Sequence, residues 1–363
     1  MWGDIAIEFL LAFVTAFVLT PYTIRLAKKI GALDIPRDER RMHNKAMPKL
    51  GGLAVISGSL FATVYLIFLK CFDGELSLTD SSNFGLKLLG MLIGLIVLLA
   101  VCFIDDKVKD IKPITKLSAQ SLAAIIVIAF GVKIDFIDIA LLGQNFILNN
   151  YLQYIITFGW IIGITNAINL IDGLDGLSSG IAIISSLMLL IIFILNGSPL
   201  IAIILITALL GALAGFLPYN FNPAKTFIGE MGTNFIGFSI SVISILGVAK
   251  TATALVIVLP ILVLGLPIFD TLYAMIRRLI KGKSIKACFQ ADRGHLHHRL
   301  VDKGYSTKEA VLILYGISLS LGVFSIILLE SGIIKAISFV VMIIAVAFIG
   351  YIELISRDKE GEE

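Results

Sequence analysis

The residues ADRGHLHHRL at positions 291–300 gather three of the chain's four histidines, His295, His297 and His298, between Arg293 and Arg299. Imidazole N–H groups interleaved with guanidinium forks suit an oxyanion such as a pyrophosphate, because arginine presents paired donors to such groups. The spacing is not that of a zinc site, since no well-separated second pair of ligands accompanies it. A second basic stretch, RRMHNKAMPKLGG (Arg40–Gly52), offers His43, Lys45 and Lys49 to complete a phosphate site, with Pro48 and Gly51–Gly52 setting a tight turn.

The carboxylates fall at the edges of apolar blocks. Asp105 and Asp106 lie in CFIDDKVKD, Asp172 and Asp175 in NAINLIDGLDGL, Glu230 in TFIGEMGTNFIG and Asp270 in GLPIFDTLYAMIRR. Ionisable groups at a hydrocarbon boundary are costly and point to function. Acids gathered at one depth repel one another unless cations compensate, and all-oxygen ligation favours Mg²⁺, or Mn²⁺, over zinc. Asn166, Asn169 and Asp172 recur every three residues, so a continuing helix would place them on one face. Gly173 and Gly176 allow close backbone approach to a ligand. Gly229 and Gly232 flank Glu230 where a helix start would offer free N–H groups to phosphate.

These groups need elements to position them, and the composition says which. Hydrophobic residues make up 58% of the 363-residue chain and charged residues 15%, against about 25% charged in an ordinary soluble domain; mean hydropathy is +0.98. Apolar blocks of roughly 20 residues, enough to span the hydrocarbon core, recur near 5–23, 51–69, 86–104, 117–131, 152–171, 177–195, 199–217, 227–248, 251–276, 311–329 and 332–354. The chain therefore reads as an all-α polytopic membrane protein of about eleven transmembrane helices, one domain over 1–363. The first block is read as a retained span, since no basic region precedes it.

With the N-terminus outside, the inside segments hold 24 of the 29 lysines and arginines, so the positive-inside rule places the C-terminus in the cytoplasm. The chemistry-bearing loops, 24–50, 105–116, 166–176, 218–234 and 277–310, then share one cytoplasmic face, strongly basic despite a net charge of only +3. That face suits anionic lipid headgroups or an anionic substrate, and no nucleic acid partner is expected. The three cysteines are scattered and form no framework. The segment 131–150 is too polar to span, and a small external hairpin is predicted near 132–150.

On these motifs the chain resembles the polyprenyl-phosphate N-acetylhexosamine-1-phosphate transferases (glycosyltransferase family 4), and within them the TagO/WecA-like branch, related to MraY. HNKAMPKLGG is similar to the first cytoplasmic motif of that family. The paired aspartates with Lys116 and Gln120 are similar to the second, NAINLIDGLDGL to the third, FIGEMGTNFIGF to the fourth and DRGHLHHRL to the fifth. The resemblance covers essentially the whole chain. It implies transfer of N-acetylglucosamine-1-phosphate, or a similar sugar phosphate, from a UDP-N-acetylhexosamine to undecaprenyl phosphate, releasing UMP, in a bacterial inner membrane. It implies Asn169 and Glu230 as Mg²⁺ ligands. Asp105, Asp106 and Lys116 would act on the lipid phosphate, and Asp172 and Asp175 at the nucleotide end. Arg293, His295, His297, His298 and Arg299 would hold the diphosphate and sugar, and a homodimer is the implied assembly. Where the family usually carries aspartate, this chain has Glu230, one methylene longer.

Three other readings compete, and the last of them, a non-enzymatic lipid-binding scaffold, explains the basic face but leaves the six acids unaccounted for. MraY-type transfer of phospho-MurNAc-pentapeptide is the runner-up within the family, with the spaced DRGHLHHRL form and the eleventh span favouring the TagO/WecA-like branch. A secondary transporter would place its carboxylates near the bilayer midplane between repeats. Only Asp270, in a stretch interrupted by Pro260, Gly265 and Pro267, leans that way.

Overall fold

A computed structural model describes residues 2–35, 45–76, 83–108, 111–134, 136–139, 144–147, 149–248, 258–282, 294–335 and 337–341. In chain order these form α1 (Trp2–Ile30), β1 (Leu33–Asp34), β2 (Met47–Pro48), α2 (Gly51–Phe72), α3 (Phe84–Val108), α4 (Pro113–Ala129), β3 (Phe136–Ile139) and β4 (Gln144–Ile147). There follow α5 (Asn150–Leu170), α6 (Leu177–Leu195), α7 (Leu200–Asn220), α8 (Gly229–Val248), α9 (Val258–Val263), α10 (Gly265–Gly282), α11 (Leu296–Asp302) and α12 (Thr307–Ser331).

Among the described residues, eight helices are long and apolar enough to cross a membrane: α1, α2, α3, α5, α6, α7, α8 and α12. The protein is an all-α, multi-pass membrane protein. The block at 117–131 falls within the shorter α4, of 17 residues. The block at 251–276 is interrupted: its described part divides at Leu264 into α9 and α10. The block at 332–354 lies mostly outside the described residues.

Local signals set the helix ends. Asn149 caps α5 by accepting from the Leu152 amide at 2.9 Å. Ser306 and Glu309 form a reciprocal capping box at α12, and Pro113 occupies the first turn of α4, where a missing N–H costs nothing. The hairpin predicted near 132–150 is present as antiparallel β3–β4, with Phe136 opposite Ile147.

Helices apolar on every side belong at the centre of a bundle, and α7 and α8 are almost wholly enclosed. Phe216, Phe235 and Phe238 fill that centre, while Leu10, Val14, Phe61 and Phe68 project outward, as lipid-facing residues do. Small residues let helices close in: Gly58 of α2 packs on Ala12 and Ala16 of α1, and Gly211 of α7 on the Phe9 carbonyl. Another tight crossing pairs Gly52 of α2 with Gly232 of α8, where a Cβ on either would run into the other's main chain.

That crossing carries the first basic stretch to the start of α8. β1 and β2 pair antiparallel, Leu33 opposite Pro48. The chain then lies along residues 226–228: the Phe227 amide donates to the Pro48 carbonyl at 2.8 Å, Gly51 to Phe227 at 3.0 Å, and Gly52 to Ile228 at 2.8 Å.

Candidate active site

The inner end of α3, the first turn of α4, the end of α5 and the start of α8 converge on one cluster. The Lys116 ammonium lies 2.6 Å from Asp105 Oδ2 and 3.0 Å from Glu230 Oε1, bridging acids 125 positions apart in sequence. Asp105 Oδ1 also accepts from the Ile111 amide at 3.2 Å. Asn169 donates to Glu230 Oε2 at 2.9 Å and to Thr233 Oγ1 at 2.8 Å. Asn234 donates to the Glu230 carbonyl at 2.8 Å. Behind them, Gln120 ties Asn166 (2.8 Å) to Asn234 (2.8 Å), a buried amide network that holds α4, α5 and α8 in register.

The paired aspartates have different surroundings. Asp106 is fully buried, and its two oxygens accept from the amides of Glu230 at 3.0 Å and Met231 at 2.9 Å. It is the N-terminal cap of α8, supplied from α3, and meets the orphan N–H groups and positive end of that helix. Lys49, 3.7 Å away, completes its neutralisation. Of the stretch containing Lys45 and Lys49, it is Lys49 that reaches the acids; Lys45 stands exposed. His43 lies outside the described residues.

The 172–176 loop is pinned along its length. Ser178 donates to Asp172 Oδ1 at 2.5 Å. Asp175 Oδ2 accepts from Asn222 Nδ2 at 2.9 Å and from the Ala224 amide at 3.0 Å, bracing the turn before α8. The Tyr315 hydroxyl of α12 donates to the Gly176 carbonyl at 2.5 Å. Burial pushes the Asp172 carboxyl up to about 6; the Ser178 hydrogen bond opposes this, and the negative charges of Glu230 and Asp175 add to it.

The histidine segment reaches the same loop. A Cβ on Gly173 would fall on the His297 ring, so glycine is what lets the imidazole lie against the backbone there. His297 is buried, its Nδ1 has no hydrogen-bond partner, and its ring stands 4.2 Å from that of His298. Burial, with His298 adding, pushes His297 down to about 3, so it is neutral at pH 7. His295 sits between Asp270 Oδ2, 2.8 Å from Nδ1, and Arg278, 3.1 Å from Nε2. Arg299 turns to Tyr273, 3.3 Å from its hydroxyl. Arg293 lies outside the described residues.

The six acids divide by what they hold, although Asp175 and Glu230 both lie close enough to Asp172 to act on its charge. Asp105 and Glu230 share Lys116, and Asp172 lies close enough to Glu230 to feel its charge. Asp106, Asp175 and Asp270 hold main chain or histidine in place.

No group of three or more carboxylate, imidazole or thiol side chains forms a ready-made metal cage among the described residues. The oxygen donors of Glu230 and Asn169 nevertheless adjoin each other beside a lysine that already compensates negative charge. This fits Mg²⁺, which takes one or two protein carboxylates and completes its shell with water and substrate phosphates.

The chain is 36% identical to a probable undecaprenyl-phosphate N-acetylglucosaminyl 1-phosphate transferase of Bacillus subtilis (strain 168), over 94% of its own length and 89% of the relative's. The chain belongs to glycosyl transferase family 4. The family's model matches residues 88–248, which run from α3 to α8 and contain the whole Lys116 cluster. A decaprenyl-phosphate N-acetylglucosaminephosphotransferase of Mycobacterium tuberculosis (strain H37Rv) is 30% identical over 84% of this chain and 77% of its own. A phospho-N-acetylmuramoyl-pentapeptide-transferase of Limosilactobacillus reuteri (strain DSM 20016) is 34% identical over 65% of this chain and 72% of its own.

In this family 4 chain the structure adds residues that motif reading passes over. Thr233 and Asn234 stand one turn after Glu230, inside the fourth motif but without a role assigned to them there. Their helical spacing from a named residue was the available signal. Tyr315 and Ser178 carried none, since their partners are set by tertiary packing alone.

Proposed function

We propose that the protein transfers N-acetylglucosamine-1-phosphate, or a closely similar N-acetylhexosamine-1-phosphate, from the UDP-sugar to undecaprenyl phosphate and releases UMP, as the first membrane step of an envelope glycan. The observation that carries this reading is the Lys116 bridge between Asp105 and Glu230, beside Asn169 and near the loop on which His297 rests. About eleven spans with the N-terminus outside would put this cluster at the cytoplasmic rim of the bacterial inner membrane. There a lipid phosphate and a soluble nucleotide sugar can meet.

An oxygen of the lipid phosphate attacks the phosphorus that bears the sugar. A new P–O bond forms, the P–O bond to the UMP phosphate breaks, and UMP leaves. A phosphate monoester has a second pKa near 6, so its attacking oxygen is already deprotonated at pH 7 and needs no strong base. The protein's work is positioning and charge neutralisation. Lys116, held by Asp105, steers the acceptor phosphate. Glu230 and Asn169 would hold Mg²⁺, which when bound supplies neutralisation of the donor diphosphate. Asp172 serves the nucleotide end, and His295, His297, His298 and Arg299 the diphosphate and sugar.

UMP release from UDP-N-acetylglucosamine and from UDP-MurNAc-pentapeptide, each with undecaprenyl phosphate and Mg²⁺, tests the reading. Release with the first alone is the expected result; release with the second alone would establish the MraY-type reaction instead. Glu230→Gln should abolish Mg²⁺-dependent turnover, and a fully active variant removes Glu230 as a ligand. The engagement of Asp270 with His295 and α11 argues against a transporter's coupling carboxylate.

A further inference from the structure

α10 presents Asp270, Tyr273 and Arg277 along one side, at the three- and four-residue spacings of a shared helix face, with Arg278 next to Arg277. All four meet the histidine segment. Arg277 donates to the Gly294 carbonyl at 2.5 Å, Arg278 meets His295 Nε2, and Tyr273 meets Arg299. Asp270, 1% exposed, does two things at once. Its Oδ2 lies 2.8 Å from His295 Nδ1, and its Oδ1 accepts from the Leu296 amide at 2.8 Å. His295 occupies the N-cap position of α11, with extended backbone, yet its own side chain caps nothing. The cap comes from α10.

The partners on either side of the ring decide its protonation pattern. An ionised carboxylate only accepts hydrogen bonds, and a guanidinium only donates them. The imidazole between them must carry its hydrogen on Nδ1 and keep a lone pair on Nε2.

We propose that Asp270 is the positioning residue of the histidine segment: one buried carboxylate starts α11 and holds His295 as the Nδ1–H tautomer, so that Nε2 receives Arg278 and the following turn sets His297 down on Gly173. Its kinetic consequence rests on the sugar-phosphate transfer proposed above; its tautomer consequence does not.

Asp270→Asn separates positioning from bulk. The amide keeps an oxygen for Leu296 but turns an NH₂ toward Nδ1. His295 must then invert to Nε2–H, which places donor against donor at Arg278. Nitrogen NMR of ¹⁵N-histidine-labelled protein in lipid nanodiscs reads this directly, because the chain has only four histidines. The expected result is an Nδ1–H imidazole that disappears in His295→Ala and becomes Nε2–H in Asp270→Asn. In UMP release, Asp270→Asn should lower kcat about 10²-fold, the scale of an ångström-level misplacement. In the His295→Ala background it should cost nothing further, because it acts through that ring. An unchanged tautomer in Asp270→Asn, or equal losses in both backgrounds, overturns the proposal. Should wild-type protein release no UMP from any donor, the transfer reading fails while the NMR result still decides the role of Asp270.

Discussion

Asp106 gives the sharpest test of how the site is built. If it is the cap of α8, its removal should damage the fold before it damages chemistry. Its two oxygens receive amides at 3.0 and 2.9 Å, and hydrogen bonds to a charged acceptor are worth roughly 1.5–3 kcal/mol each. Lys49, 3.7 Å away and only 20% exposed, adds its attraction to these two bonds. Asp106→Ala leaves two N–H groups unmet in a dry first turn and should cost roughly 3–5 kcal/mol. Asp106→Asn keeps one acceptor and should cost about half of that. Thermal unfolding of purified protein in detergent should rank wild type above Asn above Ala. Turnover by Asn, assayed well below its midpoint, should fall because Glu230 is no longer held. An Asn variant that melts like wild type but has lost turnover refutes the cap, and would mean that the carboxylate acts on substrate instead.

Gly173→Ala should lower UMP release about 10²-fold, since the new methyl takes the place of the His297 ring; a wild-type rate would mean the two segments do not touch during turnover. Asp172 titrates near 6 in the folded protein, above its ordinary 3.8. The folded state then binds more protons than the unfolded one between those values, so this contribution to stability is present below about pH 4 and lost as pH rises through 6. Asp172→Asn should erase that part of a melting-versus-pH curve, and an unchanged curve would count against the burial assigned to Asp172. Gly52→Ala should destabilise by about 1–3 kcal/mol or more through overpacking at the α2–α8 crossing, read as a lower melting midpoint.

Much of this was visible in the sequence, for identifiable reasons. Span-length apolar blocks announce membrane helices because hydrocarbon thickness sets their length. The residues gathered around Lys116 were visible as motifs because each carries unusual polarity at the edge of such a block. Asp106 could not be told from Asp105, since capping depends on where the amides of Glu230 and Met231 arrive, 124 positions later. Asp175 and Asp270 were opaque for the same reason: each holds a partner brought in by tertiary packing. Lys49 takes precedence over Lys45 because the register of residues 48–52 against 226–228 selects which lysine faces inward. The division of the 251–276 block at Leu264 was foreshadowed by Pro260, Gly265 and Pro267, but a break and a mere bend read alike in sequence.

The glycine-on-glycine crossing of α2 and α8 has a mechanical consequence. A joint of bare backbone has no rotamer to swing aside, so it behaves as a rigid fulcrum. The start of α8, and with it Glu230, is thereby fixed against α2, so the Lys116 cluster is built on a joint that cannot slip.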